Sequence, residues 1–141
     1  NESTNKCMEG EKPFSLAIID IDNFKSVNDE YGHANGDKVI IKLSEIMLKR
    51  CSTRQFPARF GGEEFAIIFD ERSANNAFEI IEELREEFSK AQYEFTDRKI
   101  TVSCGIAVWR NGWSSEKIFD NADNAMYTSK AQGKNRTTIY K

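Results

Sequence analysis

Phe14 to Asp22 reads FSLAIIDID, a nearly unbroken apolar run that stops on carboxylates. It is far short of the roughly 18 apolar residues of a membrane span. It lacks the polar alternation of a half-exposed strand, so it reads as a buried one. A buried strand needs neighbours to pair with and helices to cover it. The rest of the chain therefore has to supply both.

The next stretch, NFKSVNDEYGHANGD, reads as one short helical turn and then a glycine-bearing loop. From Gly36 the apolar residues Val39, Ile40, Leu43, Ile46 and Met47 recur on one helical face, predicting a helix to about Cys51. QFPARF and EFAIIFD are two short β-type runs joined at Gly61-Gly62. Two glycines there predict a hairpin with a type I′ turn, which needs positive φ at both central positions. Pro57 marks the first of these strands as an edge or a bulge.

RSANNAFEIIEELREEFSKA is a second amphipathic helix, with Ala77, Ile80, Ile81, Leu84, Phe88 and Ala91 on its apolar face. Its glutamates form a solvated face. KITVSCGIAVW reads as a central strand, EKIFDNADNAMYTSKAQG as a third helix stopped at Gly133, and RTTIY as a short last strand. The order β-α-β-β-α-β, then α-β, predicts an α+β fold with a ferredoxin-like core, helices on one face, and a C-terminal helix-strand addition. Residues 1–13 read as a polar segment and residues 14–141 as one domain.

With 141 residues, 39% hydrophobic and 30% charged, the chain can bury a core of its own. The polar N-terminal stretch has no apolar core of the signal-peptide kind. The net charge of −3, with both signs interleaved, argues against a long nucleic-acid partner. Cys7, Cys51 and Cys104 are far apart, and His33 is the one histidine. That excludes a Cys/His zinc site and reads as reduced thiols in a cytoplasmic setting. The N-x-S/T matches at Asn1 and Asn135 read as chance.

Asp20 ends the first strand. In a ferredoxin-like order that end lies beside the Gly61-Gly62 turn, which brings Asp20 near Glu63 and Glu64. Carboxylates at adjacent strand ends make a hard-oxygen site suited to Mg²⁺ or Mn²⁺. Glu63, at the turn exit, is the better placed to lean toward Asp20, while Glu64 supports from the side or reaches a second metal. A hairpin end made soluble by two glutamates is the alternative. DIDNFK begins like a calcium loop, but Phe24 and Lys25 stand where an oxygen ligand and a glycine belong. GHANGDK lacks the spacing and the Lys-Ser/Thr of a phosphate loop. Lys25, Lys130 and Lys134 could hold a triphosphate; the last two could equally complement a helix C-terminal dipole.

IIDIDNFKSVNDEYGHANGD, RFGGEEF, TVSCGIAV and NADNAMYTSKAQGKNR resemble, in order and spacing, the GGDEF family of bacterial diguanylate cyclases. The resemblance runs from about Phe14 to the C-terminus. It implies a fold like the palm of class III nucleotide cyclases and the condensation of two GTP into cyclic di-GMP, with two pyrophosphates released. It implies Mg²⁺ or Mn²⁺, two per site, on Asp20, the Ile21 carbonyl, Glu63 and Glu64. Glu63 would also act as base for the 3′-hydroxyl. Lys25 would stabilise charge, with Lys130 and Lys134 on the phosphates. Asn28 and Asp37 would pair with guanine, His33 would lie in the same loop, and Gly61 and Gly62 would let the phosphates approach.

The resemblance further implies a transient homodimer, an upstream sensory or receiver domain, no nucleic acid and no membrane contact by this domain. Two departures stand out. STRQ, Ser52 to Gln55, replaces the family's R-x-x-D product-inhibition motif, and Asn1 to Pro13 does not match its LTGLxNR-like segment. The alternative reading is a GTP-binding module of the same fold that has lost catalysis.

Overall fold

The computed structural model describes residues 14–59 and 61–141. The polar segment read at residues 1–13, Cys7 within it, and Phe60 lie outside the described residues. β1 (Ser15–Ile21) is buried along its whole length. It pairs antiparallel with β3 (Glu64–Phe69) on one side and β4 (Val102–Val108) on the other. β2 (Gln55–Arg59) pairs with β3 and β5 (Thr137–Ile139) pairs parallel with β4, so the sheet order is β2-β3-β1-β4-β5. The first four strands have the ferredoxin-like order. Pro57 stands on the edge strand, as a residue without an N–H must.

Among the described residues, four α-helices cover the sheet: α1 (Phe24–Tyr31), α2 (His33–Arg50), α3 (Ala77–Ser89) and α4 (Ser115–Ala131). Ile19, Phe65, Ile67 and Val102 meet Leu43, Leu84 and Phe88 in the larger core, under α1, α2 and α3. Leu16, Ile18 and Ile68 meet Ile118, Ala122 and Met126 of α4 in a second core. Helices on one face therefore describes only the part before the C-terminal addition. With both faces covered, β1 has no solvent side, which is why its sequence shows no alternation. Gly105 of β4 lets α4 lie directly on the strand, because a Cβ there would run into backbone atoms of Ala122, Ala125 and Met126.

Two local expectations are corrected. The short turn and loop after β1 are two helices, broken only at Gly32 with φ 88. Gly32, Asn35 and Gly36 read as loop residues by propensity. Burial of Phe24, Val27 and Gly36 at the junction of α1 and α2 overrides that preference. The β2–β3 connection is also longer than a two-residue turn. Arg59 pairs with Phe65, and of the two glycines only Gly61 has positive φ, at 74. A type I′ geometry is thereby excluded. The solvated glutamates of α3 turn out to be partnered in part: Glu83 and Glu87 pair with Arg50, and Glu87 also with Lys49.

Candidate active site

Asp20 is the last residue of β1 to pair with β3, and its partner in register is Glu64. Cross-strand partners share a face, so both carboxylates lie on the α4 side, in line with Leu16 and Ile18. Glu63 precedes β3, and its carbonyl accepts from the Ile21 N–H at 3.3 Å. The end of β1 and the glycine connection are thus tied together. Glu64 holds the register position opposite Asp20, while Glu63 acts on the Asp20 carboxyl more strongly than Glu64 does.

Asp20 is buried, and its Oδ1 accepts no hydrogen bond. The nearest cation is Lys130 on α4, whose Nζ lies 3.7 Å from that oxygen. Burial pushes the Asp20 carboxyl up to about 7. Lys130 opposes that shift, while Glu63, Glu64 and Asp22 add to it. Burial, Asp123 and Glu63 also raise Glu64. Negative charge therefore accumulates at this strand end with too little cation to match it. A divalent ion would supply what the carboxylates lack, so the donor set fits one. The set is small, however: among the described residues, no three His, Cys, Asp or Glu side chains are grouped to hold a metal ion. Asp20, Glu63 and the Ile21 carbonyl would have to be completed by the ligand itself or by water.

Asp22, two residues on, is a residue that sequence reasoning did not assign. Its buried carboxylate accepts from Thr101 Oγ1 and Ser103 Oγ at 2.6 Å each, from the Asn135 N–H at 3.1 Å and from Lys130 Nζ at 3.3 Å. Its partners are dozens of residues away in sequence, so only the D-x-D spacing hinted at it. Lys130 sits between the two aspartates. Lys134 donates to Asn23 Oδ1 at 2.7 Å, and Asn23, Lys134 and Asn135 all have left-handed backbones. Lys130 lies in the last turn of α4, so the alternative of complementing the helix dipole stands for it beside these contacts. Both side chains are directed at the residues that follow β1.

The other candidates lie around α1 and α2. Lys25 is exposed in the first turn of α1, and His33 and Asp37 are exposed near the start of α2. Asn28 faces the Gly36 backbone across the junction, and its buried Oδ1 has no hydrogen-bond partner. Gly61 and Gly62 border open space. Two of the described buried polar atoms without partners, on Asp20 and Asn28, thus belong to sequence-predicted site residues.

Comparison with known proteins adds to this geometry. The family profile described as "Diguanylate cyclase, GGDEF domain" matches residues 1–136. Diguanylate cyclase A of Treponema denticola is 35% identical over 140 residues, 97% of this chain and 38% of that protein. The GGDEF domain of DgcB from Caulobacter crescentus, solved in complex with c-di-GMP, superposes with a TM-score of 0.88 at 37% identity, covering 99% of this chain and 84% of that one. The active GGEEF domain of a Vibrio cholerae diguanylate cyclase gives 0.89 at 31% identity, over 99% and 90%. The chain spans 19% to 41% of the length of the curated relatives it matches first.

Proposed function

The chain belongs to the GGDEF family of diguanylate cyclase domains, and from that premise we propose that it condenses two GTP into cyclic di-GMP with release of two pyrophosphates. The observation that carries this reading is the Asp20 carboxylate, buried without a hydrogen-bond partner beside Glu63 and Glu64. Such a group is costly in a stable fold unless a cation completes it in use.

The family works with a divalent metal. Mg²⁺ or Mn²⁺, two per site, would be held by Asp20, the Ile21 carbonyl, Glu63 and Glu64. When bound, the metal lowers the pKa of the attacking hydroxyl and neutralises developing phosphoryl charge. Glu63 accepts the proton of the 3′-hydroxyl as that oxygen attacks the α-phosphate of a second GTP. Lys25 stabilises charge on the transferred phosphoryl group, and Lys130 and Lys134 bind the outer phosphates. Asn28 and Asp37 read guanine, with the carboxylate accepting from the ring N–H and the exocyclic amine. His33 lies in the same stretch of chain. The open faces of Gly61 and Gly62 leave room for phosphate.

Each protomer holds one GTP, so the two sites must meet in a transient homodimer. Input would come from a sensory or receiver domain elsewhere in the protein. With STRQ in place of R-x-x-D, tight product inhibition at that position is absent. No described helix is long and apolar enough to cross a membrane, and the domain is taken to work in the cytoplasm without nucleic acid.

A second reading, a GTP-binding module without catalysis, is favoured by the small donor set. Incubation with GTP and Mg²⁺, assaying cyclic di-GMP and pyrophosphate on the chain as it is and after forced dimerisation, separates the two. Two pyrophosphates for each cyclic di-GMP are expected. GTP binding without product from the forced dimer would establish the second reading.

A further inference from the structure

We propose that the Glu82–Arg85 pair on α3 is a positioning device for the phosphate-holding lysines, acting through the left-handed turn at Lys134 and Asn135 and through Asp22. The identity of the ligand as a nucleoside triphosphate rests on the function proposed above; the positioning itself rests on geometry.

Arg85 belongs to the helix layer on the sheet face opposite α4. Its guanidinium grips Glu82 with Nε to Oε2 at 2.7 Å and Nη2 to Oε1 at 2.9 Å. A two-point grip fixes the plane of the guanidinium, which a single contact would not. Its remaining edge, Nη1, donates to Asn135 Oδ1 at 2.8 Å and to the Asn135 carbonyl at 3.3 Å. Glu82 Oε2 also accepts from Thr137 Oγ1 at 2.7 Å. The turn after α4 is thus held at Asn135 and at Thr137 by one ion pair. Its hydrogen bonds with Arg85 hold Glu82 below the usual carboxylate range and raise Arg85, so both stay charged.

The turn needs holding. Lys134 and Asn135 have φ of 67 and 49, in succession, where L residues are disfavoured. Once held, it delivers two contacts to the site. The Asn135 N–H lies on Asp22 Oδ2, and Lys134 Nζ lies on Asn23 Oδ1. Asp22 in turn directs Lys130 through its other oxygen. Arg85 itself touches neither lysine. A chain of contacts nonetheless runs from one face of the sheet, past β5, to both cations on the other.

A merely structural Arg85 would lower stability and weaken every ligand alike. A positioning Arg85 makes the loss grow with the number of phosphates. The test titrates the whole chain, with Mg²⁺, against a non-hydrolysable GTP analogue, GMP and guanosine. It compares wild type with Arg85→Met, Arg85→Lys and Glu82→Gln. Alongside, amide exchange at Lys134 and Asn135 is followed without nucleotide.

In Arg85→Met the analogue is expected to bind about tenfold more weakly, the scale typical of an outer supporting contact, with guanosine unchanged and exchange at Asn135 faster. Arg85→Lys, which keeps the charge but not the fork, restores only part of the loss. If Arg85→Met fails to fold, Glu82→Gln carries the test with the cation still in place. Unchanged exchange at Lys134 and Asn135, or an unchanged ratio of analogue to GMP affinity, overturns the positioning role alone. Wild type that binds none of the guanine ligands overturns the proposed function, while faster exchange in the variants would still uphold the held turn.

Discussion

Asp20 and Asp22 stand two residues apart and occupy opposite environments. Around Asp22, two hydroxyls, a backbone N–H and a lysine converge on one buried carboxylate. Around Asp20, the neighbours are mostly other carboxylates, and its buried Oδ1 accepts no hydrogen bond. The first arrangement stabilises the fold; the second works against it. The difference separates a satisfied carboxylate from an unsatisfied one, although sequence spacing makes the two look alike.

The comparison breaks most decisively on activity. Glu63→Gln removes the assigned base and is expected to reduce cyclic di-GMP formation by about 10²–10⁴-fold with no loss of melting temperature. Turnover near wild type would remove Glu63 from its role and leave the region around Asp20 without a chemical reason. Next in size is stability at the anchor. Asp22→Ala strands the half-buried Lys130 and two hydroxyls, costing about 3 kcal/mol. Thermal denaturation should then show a melting temperature lower by roughly 10 °C. Asp20→Asn should show no such loss. Equal losses from both substitutions would erase the contrast.

The pH dependence sharpens it further. The Asp20 carboxyl is raised to about 7 by burial and neighbouring carboxylates, against an ordinary value of 3.8. A raised folded pKa favours the protonated folded form, so this contribution to stability is complete below pH ~4 and lost as pH rises through about 7. The melting temperature of Asp20→Asn should therefore gain on wild type between pH 5 and pH 8. Over the same range a proton competes with a cation for this carboxylate. Mn²⁺ affinity should fall by about tenfold per pH unit below 7 and level off above it. A flat pH profile in calorimetric titration would remove Asp20 from the ligand set. The smallest effect belongs to Lys134→Ala, which is expected to raise the KM for GTP severalfold while leaving kcat nearly unchanged.

Much of this was legible in the chain itself. The run before Asp20, the periodicity of α2 and α3, and the edge position implied by Pro57 each follow from one local rule. The meeting of Asp20 with the two glutamates was legible too, because a ferredoxin-like order brings the end of β1 beside the glycine connection. Other features were hidden for a physical reason. Helical structure from Phe24 and from His33 depends on packing between α1 and α2, which overrides the loop preference of Gly32, Asn35 and Gly36. The form of the β2–β3 connection depends on strand register, which the glycine pair does not specify.

The sequence by itself determined the order of the strands, the family, and which side chains could do chemistry, since these depend on residue type and on spacing along the chain. Only the tertiary structure decided which of the charges find partners. Asp22 is an anchor because Thr101, Ser103 and Asn135 arrive from distant parts of the chain, whereas Asp20 stays short of partners because β3 brings Glu64 opposite it. Whether a buried carboxylate is satisfied or held in reserve depends on neighbours in space, and folding alone chooses them.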